Sequence, residues 1–326
     1  MVVKAVTAEV VDDFPRARRL CDDPSRDRSF LQTTKPSRRA MQQYVDVFYT
    51  TLDALCLYAR EYPGPHAGAP TLLCLHDLTR NSKDFDALAT HLCLRYRVIC
   101  PDLRGHGRSQ YDTDRDNYRA AVYVSDIWRL LDVLRIDRVS VIGTSMGALL
   151  AMHMNATAPQ RVVRVVLNDA GPEVDSRGVS RIAAWADTQK TRVSSWEDAV
   201  AHVSSQYANA YPDFSPEDWI AYARANFILQ VDGLRVDYDL EILSGPSALA
   251  KLYLWPAFLA LGDKPILVLR GELSDVLPAE TAMKMWQRLP NVTTATVPNR
   301  GHSPTLEEPI ARAAIDTFLA TTDASR

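Results

Sequence analysis

Short, nearly continuous apolar runs recur along the chain at 71–75, 97–100, 139–142, 163–167, 266–269 and 293–297. Runs of this length without polar alternation are what strands buried on both faces require. Ahead of them, 44–49 and 54–58 flank a short polar turn and predict an opening antiparallel hairpin. Between the runs, residues 84–93, 121–134, 146–156 and 279–289 carry apolar positions at helical spacing. Strand and helix alternate, which predicts an α/β fold built on a mostly parallel, doubly wound, eight-stranded sheet.

The alternation breaks after residue 167, and the next clear strand begins at 266, a gap several times longer than an ordinary connection. The gap holds helix-start signals at Ser195 and Ser215-Pro216 and many aromatic residues, among them Trp185, Trp219 and Phe227. These predict a helical cap over 173–262, inserted after the sixth strand, with the core made of 41–172 and 263–326. Most such aromatics form the cap's own interior, and Trp185, Trp219 and Phe227 are candidates for a substrate pocket beneath it. Residues 1–40 mix arginines and aspartates around prolines and are expected to be a loosely ordered extension.

Charge and cysteines narrow the class. Lys and Arg total 37 against 40 Asp and Glu, a formal charge of −3, so no basic field is present to attract a nucleic acid. No apolar stretch approaches membrane-spanning length, and the N-terminus lacks the apolar core of a secretory signal. Cys21, Cys56, Cys74, Cys93 and Cys100 form no CxxC pair, so reduced thiols and cytoplasmic residence are expected.

The strongest chemical signal is Gly143-Thr144-Ser145-Met146-Gly147, directly after one predicted strand and directly before a helix. A serine on such a sharp turn sits in a strained conformation, and the flanking glycines let the two chain segments pass closely. Ser145 is the candidate nucleophile, and the Met146 N–H, at a helix N-terminus, is placed to donate to a developing oxyanion. A serine hydroxyl needs a base, and the base needs an orienting acid. Asp275 follows the strand at 266–269, and His302 follows the strand at 293–297, so acid and base come after Ser145 in the order Ser, Asp, His. Glu272 and Asp169 are rival acids, with Asp275 preferred. The Gly105-His106-Gly107 spacing lacks the third glycine of a dinucleotide fingerprint, and no metal-ligand spacing is present, so neither cofactor nor metal is expected.

With these motifs in view, residues from about 44 to 320 resemble the α/β-hydrolase superfamily, in particular its capped branch related to prolyl iminopeptidases, haloalkane dehalogenases and meta-cleavage-product hydrolases. His76-Asp77, the run from Asp102-Leu103-Arg104-Gly105 to Ser109, and Asn168-Asp169-Ala170-Gly171-Pro172 support the resemblance. It implies that Leu78 supplies the second oxyanion N–H and that the loop at Asp102 is chiefly structural. The first pair normally reads His-Gly, so Asp77 is a departure. A carboxylate turned inward there would oppose an oxyanion, but Asp tolerates left-handed backbone, and a purely conformational substitution is the simpler expectation. His76 and Asp77 join the candidate pocket residues. The resulting expectation is a serine hydrolase cleaving a small-molecule carboxylic ester or lactone. Hydrolysis of a carbon–carbon bond, and a small-molecule receptor on the same fold, are the alternatives.

Overall fold

The alternating runs become strands in the computed structural model, which describes residues 18–19, 44–175, 177–178, 180–181, 192–231, 233–244, 254–262 and 264–323. The expected loose extension at 1–40 therefore lies almost wholly outside the described residues, as does Trp185. The strands are β1 (Arg18–Arg19), β2 (Val45–Thr50), β3 (Cys56–Tyr62), β4 (Thr71–Leu75), β5 (Arg97–Asp102), β6 (Val139–Thr144) and β7 (Val162–Asn168). After an insertion carrying β8 (Arg192–Val193), β9 (Phe227–Gln230) and β10 (Gly233–Val236), the sheet resumes with β11 (Ile266–Gly271) and β12 (Val292–Val297).

Among the described residues the main sheet has nine strands in the order β1-β2-β3-β5-β4-β6-β7-β11-β12, the two-residue β1 being added at the edge of the eight expected. β2, β3 and β5 pair antiparallel, and every pairing from β5 through β12 is parallel. Helices cover both faces. Ala120–Val133 and Met146–Thr157 bury Ile127, Leu130 and Leu150 against one, while Asp86–Leu92 and Pro309–Asp323 bury Leu88, Leu92 and Ile315 against the other. This two-sided cover is why the strands carry no polar alternation: Leu72, Leu73 and Ile142 are fully buried, each contributing roughly 1.5–3 kcal/mol.

The insertion between β7 and β11 carries the expected helices and adds a small sheet. Its helices Trp196–Tyr207 and Pro216–Asn226 begin where predicted, with the Ser195 and Ser215 hydroxyls accepting the N–H groups of Asp198 and Asp218. Beside them stands a three-stranded antiparallel sheet in the order β8-β10-β9. Phe227-Ile228-Leu229 favours strand over helix, and Gly233, at φ +118°, occupies a backbone region that side-chain-bearing residues avoid. Hydrogen bonds from the Gly107 N–H to the Asp237 carbonyl (2.9 Å) and from the Asp239 N–H to the Gly105 carbonyl (2.7 Å) dock the insertion on the loop after β5.

Cys74, Cys93 and Cys100 are free thiols, whereas Cys56 is disulfide-bonded, which corrects the fully reduced expectation at that position. No helix among the described residues is long and apolar enough to cross a membrane.

Candidate active site

β6 delivers Ser145 to the carboxyl edge of the sheet at φ 50°, ψ −111°, a conformation that non-glycine residues rarely adopt. The turn is possible because its neighbours lack side chains. A Cβ on Gly143 would lie 2.3 Å from the Gly147 carbonyl oxygen, and one on Gly147 would lie 2.1 Å from that of Leu75. The Ser145 N–H donates to the Asn168 carbonyl at 2.9 Å, fixing the turn to the end of β7. Met146 opens the following helix, so its N–H has no carbonyl four residues back within the helix to bond, and it remains available as a donor.

Ser145 Oγ stands 2.7 Å from His302 Nε2, and His302 Nδ1 stands 2.8 Å from Asp169 Oδ2. A carboxylate can only accept, so Nδ1 carries the hydrogen and Nε2 faces the serine hydroxyl with its lone pair. Burial pushes the His302 pKa down. The hydrogen bond and charge of Asp169, followed by the charge of Asp77, outweigh it, and the net pKa is raised above the ordinary histidine value.

The acid beside His302 is thus Asp169 and not Asp275, a correction to the expected arrangement. Asp169 directly follows β7 at φ 55° and is fully buried. It accepts three hydrogen bonds, from His302, from the Gly271 N–H (2.9 Å) and from the Ser274 hydroxyl (2.6 Å). The loop after β11 contributes Ser274 to the interior, while the next residue, Asp275, turns outward to Arg181, whose Nη2 donates to Asp275 Oδ1 at 2.8 Å. Burial works against the Asp275 charge, but the Arg181 hydrogen bond and charge more than offset it and hold the carboxyl below its usual range. Glu272 is also occupied elsewhere, accepting the Asn299 N–H at 3.0 Å.

Asp77 supplies the second correction. It is not among the residues with positive φ, so the conformational reading does not account for it. Its carboxylate turns inward: Oδ1 accepts the Leu78 N–H at 2.6 Å, and Oδ2 lies 3.8 Å from His302 Nε2. The N–H expected to hold an oxyanion is therefore already bonded to a side chain.

Of the other pocket candidates, His76, Trp219 and Phe227 lie among the described residues and Trp185 does not. His76 is fully buried, with Nδ1 2.7 Å from the Asp77 carbonyl and Nε2 accepting the Leu103 N–H at 3.0 Å. Burial, then the neighbouring His106, pushes its pKa well below the ordinary value, so it is a neutral strut. Phe227 is buried edge-on to His202, and Trp219 lies in a ring cluster with Tyr211, Phe214 and Tyr222. Both rings pack against residues of the insertion, and the half-buried Trp219 shares its cluster with Tyr211. Tyr211, which was not a site candidate, reaches the site through its hydroxyl, which donates to the Ser303 carbonyl at 2.8 Å.

A family profile described as alpha/beta hydrolase fold matches residues 70–309. The chain is 35% identical to a 3-hydroxybutyrate-oligomer hydrolase from Cupriavidus necator, over 78% of this chain and 90% of that protein. It is 29% identical to a 2-(acetamidomethylene)succinate hydrolase from Mesorhizobium japonicum, over 72% of this chain and 81% of that protein. Among solved structures, an alpha/beta hydrolase from Novosphingobium aromaticivorans superposes with a TM-score of 0.81 at 40% identity, covering 86% of this chain and 99% of that one.

Proposed function

Because this chain belongs to the α/β-hydrolase fold family, we propose that it is a serine hydrolase cleaving small carboxylic esters, foremost those of hydroxy acids, through an acyl-enzyme. The observation that carries the reading is the unbroken chain from Ser145 Oγ through His302 to Asp169. The hydroxy-acid preference rests on the similarity to the 3-hydroxybutyrate-oligomer hydrolase.

In the proposed cycle, Ser145 Oγ attacks the ester carbonyl while His302 Nε2 takes its proton. Asp169 holds the ring in the competent tautomer and stabilises the imidazolium. The Met146 N–H, and the Leu78 N–H once Asp77 leaves it, hold the oxyanion. Collapse of the tetrahedral adduct breaks the ester C–O bond, and His302 returns the proton to the departing alcohol. Water, deprotonated by the same nitrogen, then attacks the acyl-enzyme and releases the carboxylic acid and Ser145. A lactone follows the same steps with acid and alcohol in one product.

The test is nitrophenol release from p-nitrophenyl esters of increasing chain length, alongside acid release from 3-hydroxybutyrate oligomers, by the wild-type chain and Ser145→Ala. The expected outcome is turnover that falls by roughly 10⁴-fold or more in the variant. Full turnover by Ser145→Ala sinks the reading.

A further inference from the structure

We propose that Asp77 is a specificity-determining residue whose carboxylate, seated at the oxyanion site, selects acyl groups carrying a hydroxyl one or two carbons from the scissile carbonyl. The inference rests on the acyl-transfer reading above and adds to it the feature of the substrate that opens the site.

The backbone of Asp77 is pinned. Its carbonyl lies 2.7 Å from His76 Nδ1 and accepts the Arg80 N–H at 3.1 Å, so the side chain rather than the loop is free to move. Oδ1 occupies the Leu78 N–H, while Oδ2 accepts no hydrogen bond among the described residues. The side chain is 21% exposed.

A carbonyl oxygen entering this site meets a negative charge where it must itself become negative, and a plain acyl group brings nothing to offset that repulsion. A hydroxyl close to the carbonyl does. It donates to the carboxylate in a charge-assisted hydrogen bond, about twice as strong as a neutral one, and draws Asp77 away from the Leu78 N–H. The substrate's own donor thereby releases the oxyanion site. An ammonium in the same position also pairs with a carboxylate, but the Arg181 guanidinium acts on both Asp77 and His302 and repels a second cation. A neutral donor fits both neighbours.

The experiment compares kcat/KM for p-nitrophenyl butyrate, 3-hydroxybutyrate and 3-aminobutyrate using the wild-type chain, Asp77→Asn and Asp77→Gly. The wild type is expected to favour the hydroxy ester over the plain ester by about tenfold, equivalent to about 1.4 kcal/mol. In both variants the plain ester is expected to gain until the two differ by no more than about twofold. A wild-type ratio near one, a ratio that persists in both variants, or a preference for the amino ester overturns the proposal. Labelling by a fluorophosphonate, with Ser145→Ala as blank, separates this failure from failure of the serine mechanism. A chain that does not label refutes the mechanism, whereas one that labels without selecting the hydroxy ester refutes only the role of Asp77. Should Asp77→Gly not fold, the near-isosteric Asp77→Asn carries the comparison.

Discussion

Asp169 and Asp275 stand near the same histidine in different circumstances, and the difference is measurable. Asp169 is dry and bonded to His302, so Asp169→Asn reverses the donor required at Nδ1 and favours the wrong tautomer; kcat on a p-nitrophenyl ester is expected to fall about 10⁴-fold. Asp275→Asn loosens Arg181 on the outer side and is expected to change kcat by only about threefold. A second consequence concerns pH. His302 acts as a base only when neutral, and its pKa is raised, so kcat/KM should fall on acidification through a value above 6.5. Asp169 and Asp77 raise its pKa and Arg181 lowers it, while Asp275, held beside Arg181, also interacts with the His302 charge. Asp77→Asn should therefore move the acidic limb to lower pH, and Arg181→Gln should move it to higher pH, as read from pH–rate profiles. The pairing of Ser145 with His302 was legible because each has a distinctive local context. The acid was not, since Asp169 and Asp275 both follow strands at the same sheet edge, and only the inward turn of Ser274 decides between them.

The turn from β6 into the helix Met146–Thr157 works because two chain segments touch where glycine alone fits. Gly147→Ala sets a methyl against the Leu75 backbone, which cannot yield as a side-chain tip would. A loss of roughly 1–3 kcal/mol is expected, seen as a lower thermal midpoint, with activity falling further because Ser145 shifts. The core strands and their helices were legible to within a few residues because burial on both faces leaves a continuous apolar signature. The small strands of the insertion were not. β8 is only Arg192–Val193, too short to show a period, and the aromatic residues around it suit a helix or a strand equally well. Asp232-Gly233 was the available hairpin signal.

Across the whole molecule, the loop after β5 acts as a clasp. Arg104, almost fully buried, bonds Asp126 on the helix Ala120–Val133 at 2.9 Å and Asp53 on the β2–β3 turn at 2.6 Å, and also pairs with Asp112. Arg104→Met strands these carboxylates together and is expected to cost about 3–5 kcal/mol in chemical denaturation, with the Ser145 environment lost only on global unfolding. The placement of the acid matters at this scale as well. Ser145 and Asp169 end adjacent paired strands on one side of the insertion, and only His302 arrives from beyond it. The loop carrying His302 is held by the insertion itself: the Gly301 N–H donates to the Ala210 carbonyl at 2.7 Å, the Tyr211 hydroxyl to Ser303, and Arg300 pairs with Asp213. Nucleophile and acid therefore rest on the core alone, like an anvil, whereas the base is slung between two supports, the insertion on one side and, through the Leu273 N–H to the Arg300 carbonyl and Asn168 Nδ2 to the Pro304 carbonyl, the core on the other.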